Sequence, residues 1–525
     1  MQTLYNARIY TLDEHTPQAA ALQIDQGRVV AILQEKPTSA GKGDTDLQGK
    51  VVIPGLIDAH LHLEHYALGL QKVDCETPTR AECLGRVAER ARHTPPGEWI
   101  LGHGWNQNVW PEGFGSAADL DEIAPQHPVY LTAKSLHAAW ANHAALRLAR
   151  ISAATPDPPD GRLGRDAQGQ PDGILFESAM ELAASAIPEP GAAQVEEAIR
   201  AALPVLWGMG LTGVHDFDRR RCFLALQSLH QRGELRLRVL KSIPLEDLPH
   251  AAALGLRSGF GDDTLRIGSV KLFADGALGP QTAAMLQAYQ GDPQSYGMLF
   301  LDAEQLYEHG RLAVDSGLSL AVHAIGDRAN HEVLNALEQL RAYARAHQPG
   351  SAGLRHRIEH VQVLHPDDAG RLAELGVIAS MQPIHATSDM EMADRFWGQR
   401  AALAYAWRTQ LEHGAALAFG SDAPVESPNP FWGLHAAVTR QRANGAPGPQ
   451  GWYPEQRLSR AEALAAFTLG PAYAAGMEKS QGRLSPGFLA DLLVLDCDPF
   501  TCPAGDLAAI RPAATMVGGE WVYQL

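Results

Sequence analysis

No stretch of this 525-residue sequence stays apolar for long enough to cross a membrane. Positive charge is also scarce, since 43 lysines and arginines stand against 60 aspartates and glutamates, a formal net charge of −17. Nucleic-acid backbones are bound through basic surfaces, so this balance argues against a nucleic-acid partner. The stretch from Met1 to Asp13 lacks the basic start and apolar core of a signal peptide. We therefore expect a cytoplasmic chain that binds neither nucleic acid nor membrane.

The sequence has few cysteines, and their number is odd. The five residues are Cys75, Cys83, Cys222, Cys497 and Cys502, and no Cys-x-x-Cys pair occurs among them. A disulfide framework is not predicted, and the composition fits a reducing cytoplasm. Histidine is more plentiful, with 22 residues, several of them at the ends of predicted strands.

The two ends of the chain resemble each other and differ from the middle. Residues 1–53 and 475–525 contain short strand-like stretches separated by turn signals such as Asp25-Gln26-Gly27 and Gly518-Gly519. This pattern predicts that the termini meet in one small composite β-sandwich domain.

Residues 54–474 alternate apolar strands with helical segments, the pattern of parallel βα units. Eight candidate strands are Val51–Asp58, Thr212–Phe217, Leu235–Ser242, Arg266–Ala274, Leu318–Ile325, His356–Val361, Val377–Gln382 and Ala415–Gly420. Eight such units predict an α/β protein built on a (β/α)₈ TIM barrel.

The gap between the first two predicted strands is too long for a single crossover. We interpret about 72–200 as an insertion, with strand-like pieces at Trp99–Trp105 and Val129–Ala133. Its Pro, Gly and Asp content predicts a long loop from Thr155 to Gly173.

Polar residues mark the ends of several predicted strands. His60 and His62 follow the first strand and point to the same side, because side chains of an extended segment alternate. Four more polar residues lie in or just after the fourth, fifth, sixth and eighth predicted strands, namely Lys271, His323, His360 and Asp422. Because the carboxyl ends of barrel strands meet at one mouth, we expect all six side chains to lie close together. Alternatives are buried structural histidines and, for Asp422, a helix N-cap before Pro424.

This ordered set resembles the amidohydrolase superfamily, and longer strings are similar to its YtcJ-like branch, the amidohydrolase 3 family, which includes N-substituted formamide deformylases. These strings are Val52–His62, Lys271–Thr282, His323–Asn330, Ile358–Gln362, Gln382–His385 and Gly420–Pro424. Gly482–Leu495 also resembles the closing β segment of the superfamily. The resemblance covers essentially the whole chain. It departs at Pro280-Gln281, where family members commonly carry Ser-Arg, so the substrate preference is open.

The resemblance implies a divalent metal, with zinc as the default for histidine-rich ligands and one or two ions per chain. The implied metal ligands are His60, His62, Lys271, His323, His360 and Asp422. It also implies that Lys271 is carbamylated by carbon dioxide and bridges two metals. The alternative is a one-metal site in which Lys271 pairs with Asp422 or with substrate.

The predicted catalytic residues are Asp422, Lys271 and His360. Asp422 is expected to take a proton from metal-activated water and return it to the leaving nitrogen. The predicted substrate contacts are Trp105, His137, Asn142, Asp275, Arg328 and His385.

These residues predict a metal-dependent hydrolase of a non-peptide C–N bond in a small molecule, such as an N-substituted formamide. A cyclic amide, carbamate or amidine hydrolase or deaminase of the same superfamily is the alternative. A non-catalytic assembly protein is a remote one, because all six ligand positions are intact. A homodimer is left open.

Overall fold

The computed structural model describes residues 1–525 except 36–40, 42, 136, 160, 349 and 351–352. Met1–Tyr66 together with Ile199–Leu525 form one compact unit, and Ala67–Ala198 form another. Among the helices of the described residues, none combines the length and the apolarity that a membrane span requires.

The strands are numbered in chain order. They are β1 (Gln2–Tyr10), β2 (Gln18–Asp25), β3 (Arg28–Leu33), β4 (Thr45–Asp46), β5 (Val51–Pro54), β6 (Leu56–Leu61), β7 (Val73–Asp74), β8 (Ile100–Trp105), β9 (Val129–Ala133), β10 (Ala138–Ala141), β11 (Gly161–Arg165), β12 (Pro171–Glu177), β13 (Leu211–Asp216), β14 (Arg238–Pro244), β15 (Leu265–Phe273), β16 (Leu320–Ala324), β17 (Arg357–His360), β18 (Ile378–Met381), β19 (Leu417–Phe419), β20 (Leu492–Leu495), β21 (Pro512–Val517) and β22 (Glu520–Gln524).

The α-helices are numbered in the same way. They are α1 (Leu63–Leu70), α2 (Arg80–His93), α3 (Ala117–Ile123), α4 (His143–Leu148), α5 (Ala179–Ala184), α6 (Ala192–Gly208), α7 (Arg220–Gln231), α8 (Leu248–Ala253), α9 (Ala303–Asp315), α10 (Asp327–His347), α11 (Arg371–Leu375), α12 (Pro383–Trp397), α13 (Trp407–Glu412), α14 (Pro430–Thr439), α15 (Arg460–Ala466) and α16 (Leu469–Ala474).

One sheet of the larger unit joins strands from both ends of the chain. Its order is β22-β21-β20-β5-β1-β2-β3, with β4 beside β1. Leu493 of β20 pairs antiparallel with Ile53 of β5, and Val52 of β5 pairs parallel with Ile9 of β1. Val52, Ile9 and Leu492 lie in a shared apolar core. Hydrogen bonds connect the described strands of both chain ends in one sheet, so the two termini meet as predicted, and their packing as a sandwich stays a prediction.

The barrel is the second sheet of the larger unit, with the parallel order β19-β18-β17-β16-β15-β14-β13-β6 along the described chain. Its open edge is bridged where the Asp422 amide donates to the His60 carbonyl (2.7 Å) and the His62 amide donates to the Ala423 carbonyl (2.8 Å). Every residue of β6 is buried, as expected for a parallel strand covered on both faces. The predicted (β/α)₈ barrel is confirmed.

The first predicted barrel strand, Val51–Asp58, is divided at Gly55. The Gly55 amide donates to the Asp491 carbonyl (2.9 Å), whereas the next amide, of Leu56, donates to the Gly210 carbonyl (3.2 Å). A Cβ on Gly55 would lie 2.3 Å from Oγ1 of Thr212, so only glycine allows this close approach. One apolar run therefore supplies β5 to the terminal sheet and β6 to the barrel.

Helices α9 and α10 illustrate how the sequence sets the barrel's outer layer. Helix α9 begins at a capping box in which Asp302 and Gln305 satisfy each other's backbone amides, and it buries Leu306 and Val314. It leads into β16, which carries His323 at its far end. The cap and the amphipathic spacing of α9 thus help to position β16, and with it His323.

The smaller unit, Ala67–Ala198, overlaps the segment predicted as an insertion. Its described strands form a sheet of order β11-β12-β10-β9-β8-β7. The loop predicted from Thr155 to Gly173 is wrong in part, because β11 and the start of β12 lie within it. Leu163 and Leu175 pair across this antiparallel hairpin and are both buried, so apolar pairing overrides the loop-like composition.

Candidate metal centre

Four of the predicted metal ligands converge at the mouth of the barrel. His60 lies in β6, His62 follows it, His360 ends β17, and Asp422 lies three residues after β19. Because these strands are parallel, their carboxyl ends meet at one rim, where barrel enzymes hold their catalytic groups.

A first cluster consists of His60, His62 and Asp422. The Nε2 atoms of the two histidines lie 3.5 and 3.6 Å from Oδ1 of Asp422. Zinc–ligand bonds of about 2.0–2.2 Å place neighbouring ligands of a tetrahedral site about 3.3–3.6 Å apart. The first cluster therefore has the ligand spacing of a metal site.

A second cluster consists of His360, His385 and Asp422. Nε2 of His385 lies 3.9 Å from Oδ2 of Asp422, the oxygen that the first cluster does not use. The rings of His360 and His385 are nearly parallel, with centroids 6.2 Å apart. Asp422 thus stands between two sets of imidazoles.

Three of the predicted ligand histidines are each oriented by a partner on Nδ1. Nδ1 of His60 lies 2.6 Å from Oε2 of Glu359, and Nδ1 of His62 lies 3.1 Å from Oδ1 of Asp218. Nδ1 of His360 lies 2.9 Å from the side-chain oxygen of Gln382. Because an oxygen at Nδ1 holds the ring hydrogen there, the Nε2 lone pair faces the centre, as metal ligation requires.

His323 and Lys271 belong to neither cluster. Nε2 of His323 donates to the Gly276 carbonyl (2.9 Å), which leaves Nδ1 as its ligand atom, and its ring centroid lies 4.5 Å from that of His360. Nζ of the buried Lys271 lies 4.7 and 4.9 Å from the ring centroids of Phe217 and Phe273. Their roles as metal ligands stay predictions.

Burial controls the charge of these groups. It holds the pKa values of His60 and His360 well below the usual value and lowers the pKa of His323 to about 3, so all three imidazoles are neutral at neutral pH. Burial also lowers the pKa of Lys271 to about 8 and raises the pKa of Asp422. Neutral imidazoles beside a carboxylate are the chemical form that binds zinc.

A buried ionic network holds His60 through its Nδ1 atom. Glu359 lies between His60 and Arg357, whose Nε is 2.5 Å from Oε1 of the glutamate. Arg357 also contacts Nδ1 of His215 (2.8 Å) and donates to the Ala59 carbonyl (2.7 Å). This chain of contacts fixes the His60 ring and compensates the buried charges.

The backbone at the rim is held in uncommon conformations. Asp422 has φ of 60° and His360 has φ of 76°, in the left-handed region that costs a non-glycine residue roughly 1–3 kcal/mol. Asp58 restrains the first of these turns by accepting from the Ser421 amide (3.0 Å) and from the Ser421 hydroxyl (2.5 Å). The structure thus tolerates strain where it places the site.

Sequence reasoning did not identify Asp58, Asp218 or Glu359 as supporting residues. Asp58 precedes His60 by two positions on the same strand face, and Glu359 is the neighbour of His360 in sequence. Those positions could have suggested a role, whereas the contact between Asp218 and His62 joins residues 156 positions apart.

Two predicted substrate residues of the larger unit have different surroundings. The buried carboxylate of Asp275 accepts from the amides of Ile325 (3.0 Å), Gly326 (2.8 Å) and Ala284 (2.9 Å). It therefore binds the loop after β15 to the loop after β16. Arg328 is exposed in the first turn of α10.

The predicted substrate residues of the smaller unit are mostly engaged within it. Nε1 of the buried Trp105 donates to the Leu131 carbonyl (2.8 Å), and Asn142 caps α4 by accepting from the Ala145 amide (3.0 Å). His137 is exposed and lies 3.0 Å from Glu177. The substrate roles of Trp105, His137 and Asn142 stay predictions.

The barrel and its histidine–carboxylate centre define a metal-dependent hydrolase. The Amidohydrolase family model matches residues 45–523, so the chain belongs to the Amidohydrolase family. This confirms the predicted family and makes the protein a metal-dependent hydrolase acting on carbon–nitrogen bonds other than peptide bonds.

Known proteins resemble the chain over its full length. A Bacillus subtilis protein named as the amidohydrolase YtcJ is 33% identical, covering 98% of both chains. The N-substituted formamide deformylase of Arthrobacter pascens is 30% identical, covering 99% of this chain and 98% of its own. The crystal structure of an uncharacterized metal-dependent hydrolase from Pyrococcus furiosus is 29% identical with a TM-score of 0.76, covering 95% of this chain and all of its own.

Proposed function

We propose that the protein hydrolyses a small N-substituted formamide or a similar acyclic amide. Water adds to the carbonyl carbon, the C–N bond breaks, and the nitrogen takes a proton, so a formamide yields formate and an amine. The observation that carries this proposal is that the first and second clusters share Asp422, whose Oδ1 lies 3.5 Å from Nε2 of His60 and whose Oδ2 lies 3.9 Å from Nε2 of His385. Similarity to the Arthrobacter pascens deformylase supports the choice of substrate class.

The residues present fit a divalent metal, and we propose zinc. His60, His62 and Asp422 would hold one ion, while His360 and His323 would contribute to a second. When bound, a divalent cation polarises the substrate carbonyl and lowers the pKa of a bound water to about 7. The neutral imidazoles and the occupied Nδ1 atoms of His60, His62 and His360 support this assignment.

Asp422 is the proposed general base and acid. Its carboxylate takes a proton from the attacking water and then delivers it to the departing nitrogen, which leaves as a neutral amine. Burial raises the pKa of Asp422, which makes the carboxylate a better proton acceptor than one exposed to water. The turn held by Asp58 and Ser421 keeps it in place during both transfers.

Lys271 is the proposed site of carbamylation. Its neutral amine would attack carbon dioxide to form an N–C bond, with loss of one proton and formation of a carbamate anion. Burial lowers the pKa of Lys271 to about 8, so the reactive neutral amine is available near neutral pH. The charges of Glu359 and Asp422 favour the ammonium form of Lys271, but burial has the larger effect on its pKa. The mass of the intact protein with and without bicarbonate tests this step.

An apolar wall supports a substrate with a hydrophobic N-substituent. Phe273 lies two residues beyond Lys271 on the same face of β15, one layer nearer the mouth, and is 49% exposed. Its ring centroid lies 5.3 Å from that of His323. Phe300 is exposed on the segment whose amide donates to the Ala274 carbonyl (2.7 Å). Exposed aromatic surface beside the metal centre suits an aryl or alkyl group.

The test is a substrate panel with zinc-reconstituted protein. N-benzyl and N-alkyl formamides are assayed for formate, and cyclic amides, carbamates and amidines for ring opening or ammonia. We expect formate release to be fastest, and chelation to abolish it. Faster ammonia release from a cyclic amidine than formate release from any formamide would overturn the proposed substrate class.

A further inference from the structure

We infer that His385 donates a hydrogen bond from Nε2–H to the substrate carbonyl oxygen as it becomes an oxyanion, and that His385 is not a metal ligand. The inference rests on the proposed hydrolysis of an amide and assigns a residue to its transition state. It starts from a difference between His385 and the other histidines of the two clusters.

The first observation is a buried nitrogen without a partner. His385 is 5% exposed, and among the described residues its Nε2 has no hydrogen-bond partner. The nearest carboxylate oxygen, Oδ2 of Asp422, is 3.9 Å away, too far for a hydrogen bond. An unsatisfied buried polar atom destabilises the protein, so a ligand atom that pairs with it gains a strong interaction.

The second observation is the partner on the opposite ring nitrogen. Nδ1 of His385 lies 3.4 Å from the side-chain nitrogen of Gln362, which is a donor. Nδ1 must then accept, and the ring hydrogen sits on Nε2. In His60, His62 and His360 the Nδ1 atoms face oxygens instead, so their hydrogens sit on Nδ1. A protonated Nε2 cannot bind a metal, but it can donate.

The third observation is that His385 is held rigidly at the correct rim. It lies in the first turn of α12, where Pro383, Ile384 and Ala386 are also buried. Gln382, the residue directly before α12, orients His360. One turn of chain therefore fixes a metal ligand and the proposed donor relative to each other, which is the preorganisation that oxyanion stabilisation requires.

The experiment compares His385→Ala with His360→Ala in the full-length, zinc-reconstituted protein. We expect His385→Ala to retain the zinc content of the wild type while kcat for formamide hydrolysis falls about 10²–10³-fold. His385→Gln, which keeps an N–H donor, should recover part of that loss. His360→Ala should lose zinc.

Two results would overturn the inference. Loss of zinc in His385→Ala comparable to that in His360→Ala would make His385 a ligand. An unchanged kcat in zinc-replete His385→Ala would remove the donor role. Both differ from failure of the proposed function, in which the wild-type protein itself releases no formate.

Nitrogen NMR of the histidine side chains provides a readout that does not depend on activity. We expect His385 to show its hydrogen on Nε2, the opposite tautomer to His360. Replacement of Gln362 by glutamate places an acceptor at Nδ1, so Gln362→Glu should move the hydrogen to Nδ1 and lower kcat. A hydrogen on Nδ1 of His385 in the wild type would contradict the inference.

Discussion

Single residues at the barrel mouth divide into groups that face the centre and groups that orient them. Asp422 belongs to the first kind, and its two oxygens face different histidines. Glu359 belongs to the second kind, because it is completely buried between His60 and Arg357. Substitutions of the two should therefore fail in different ways.

Asp422→Asn should retain a folded protein and lose activity. The amide cannot accept the proton of the attacking water, and loss of a general base typically costs 10²–10⁴-fold. We expect kcat to fall by about that factor in an assay of formate release. Asp367→Asn, which changes an exposed carboxylate, should match the wild type. Equal activity of Asp422→Asn and the wild type would contradict the role of Asp422.

Glu359→Gln should weaken both metal binding and stability. His60 loses the carboxylate that orients it, which typically costs about 10–100-fold in metal affinity. Arg357 is left as an uncompensated buried charge, at a cost of about 3–5 kcal/mol in the free energy of unfolding. Zinc titration and urea denaturation measure the two effects.

The matched control for this change is Glu338→Gln, which removes an exposed partner of Arg371. Exposed pairs contribute about 0–1 kcal/mol, so little change is expected. If Glu359→Gln were equally mild, the buried network would not be what holds His60.

At the level of elements, side chains at the starts of the barrel strands also connect neighbouring strands. Nδ1 of His356, just before β17, accepts from the amide of Leu320 at the start of β16 (3.1 Å). Burial lowers the pKa of His356 to about 4. The neutral ring thus joins two neighbouring strands that carry His360 and His323.

The His356 contact predicts an acid-sensitive stability. An unfolded histidine has a pKa of about 6.5, so above this value both states are neutral and the stabilisation is complete. As the pH falls from about 6.5 to about 4, the unfolded state takes up a proton and the folded state does not, so the free energy of unfolding decreases. In His356→Gln this contribution is absent.

Urea denaturation near pH 7 and near pH 5 measures this difference. We expect the wild type to lose more stability than His356→Gln over that interval. An equal loss in the two proteins would show that His356 does not titrate in this way.

At the scale of the larger unit, a buried ion pair connects the barrel to the terminal sheet. Nη2 of Arg238 in β14 lies 2.7 Å from Oδ1 of Asp491, which directly precedes β20. Asp491 also accepts from the amide of Gly518 (2.8 Å). Both charges are buried, so each depends on the other.

Asp491→Ala should therefore destabilise the unit strongly. The buried guanidinium of Arg238 loses its counter-ion, at a cost of about 3–5 kcal/mol in the free energy of unfolding. Asp263→Ala, which breaks a half-exposed pair with Arg28, is the control and should cost about 0–1 kcal/mol. Denaturation midpoints of the two variants measure the difference, and equal midpoints would contradict the prediction.

Much of the barrel could be predicted from sequence because its signals are local. An apolar strand followed by an amphipathic helix is recognisable from neighbouring residues, and the structure has β13–β19 close to their predicted positions. The division at Gly55 could not be predicted in this way, because it depends on the approach of Thr212, 157 positions later in the chain. Likewise, the hairpin of β11 and β12 overrides a composition typical of loops.

The sequence by itself determined the order of the strands and the residues near their ends, since His60, His62, His360 and Asp422 all lie at or just after the ends of barrel strands, as predicted. Only the tertiary structure decided how these side chains are oriented and what surrounds them. The contact of His60 with Glu359 spans 299 positions, and Asp422 meets both His62 and His385 only because the barrel closes. The tautomer of each imidazole depends on such distant partners, and periodicity along the chain carries no information about them.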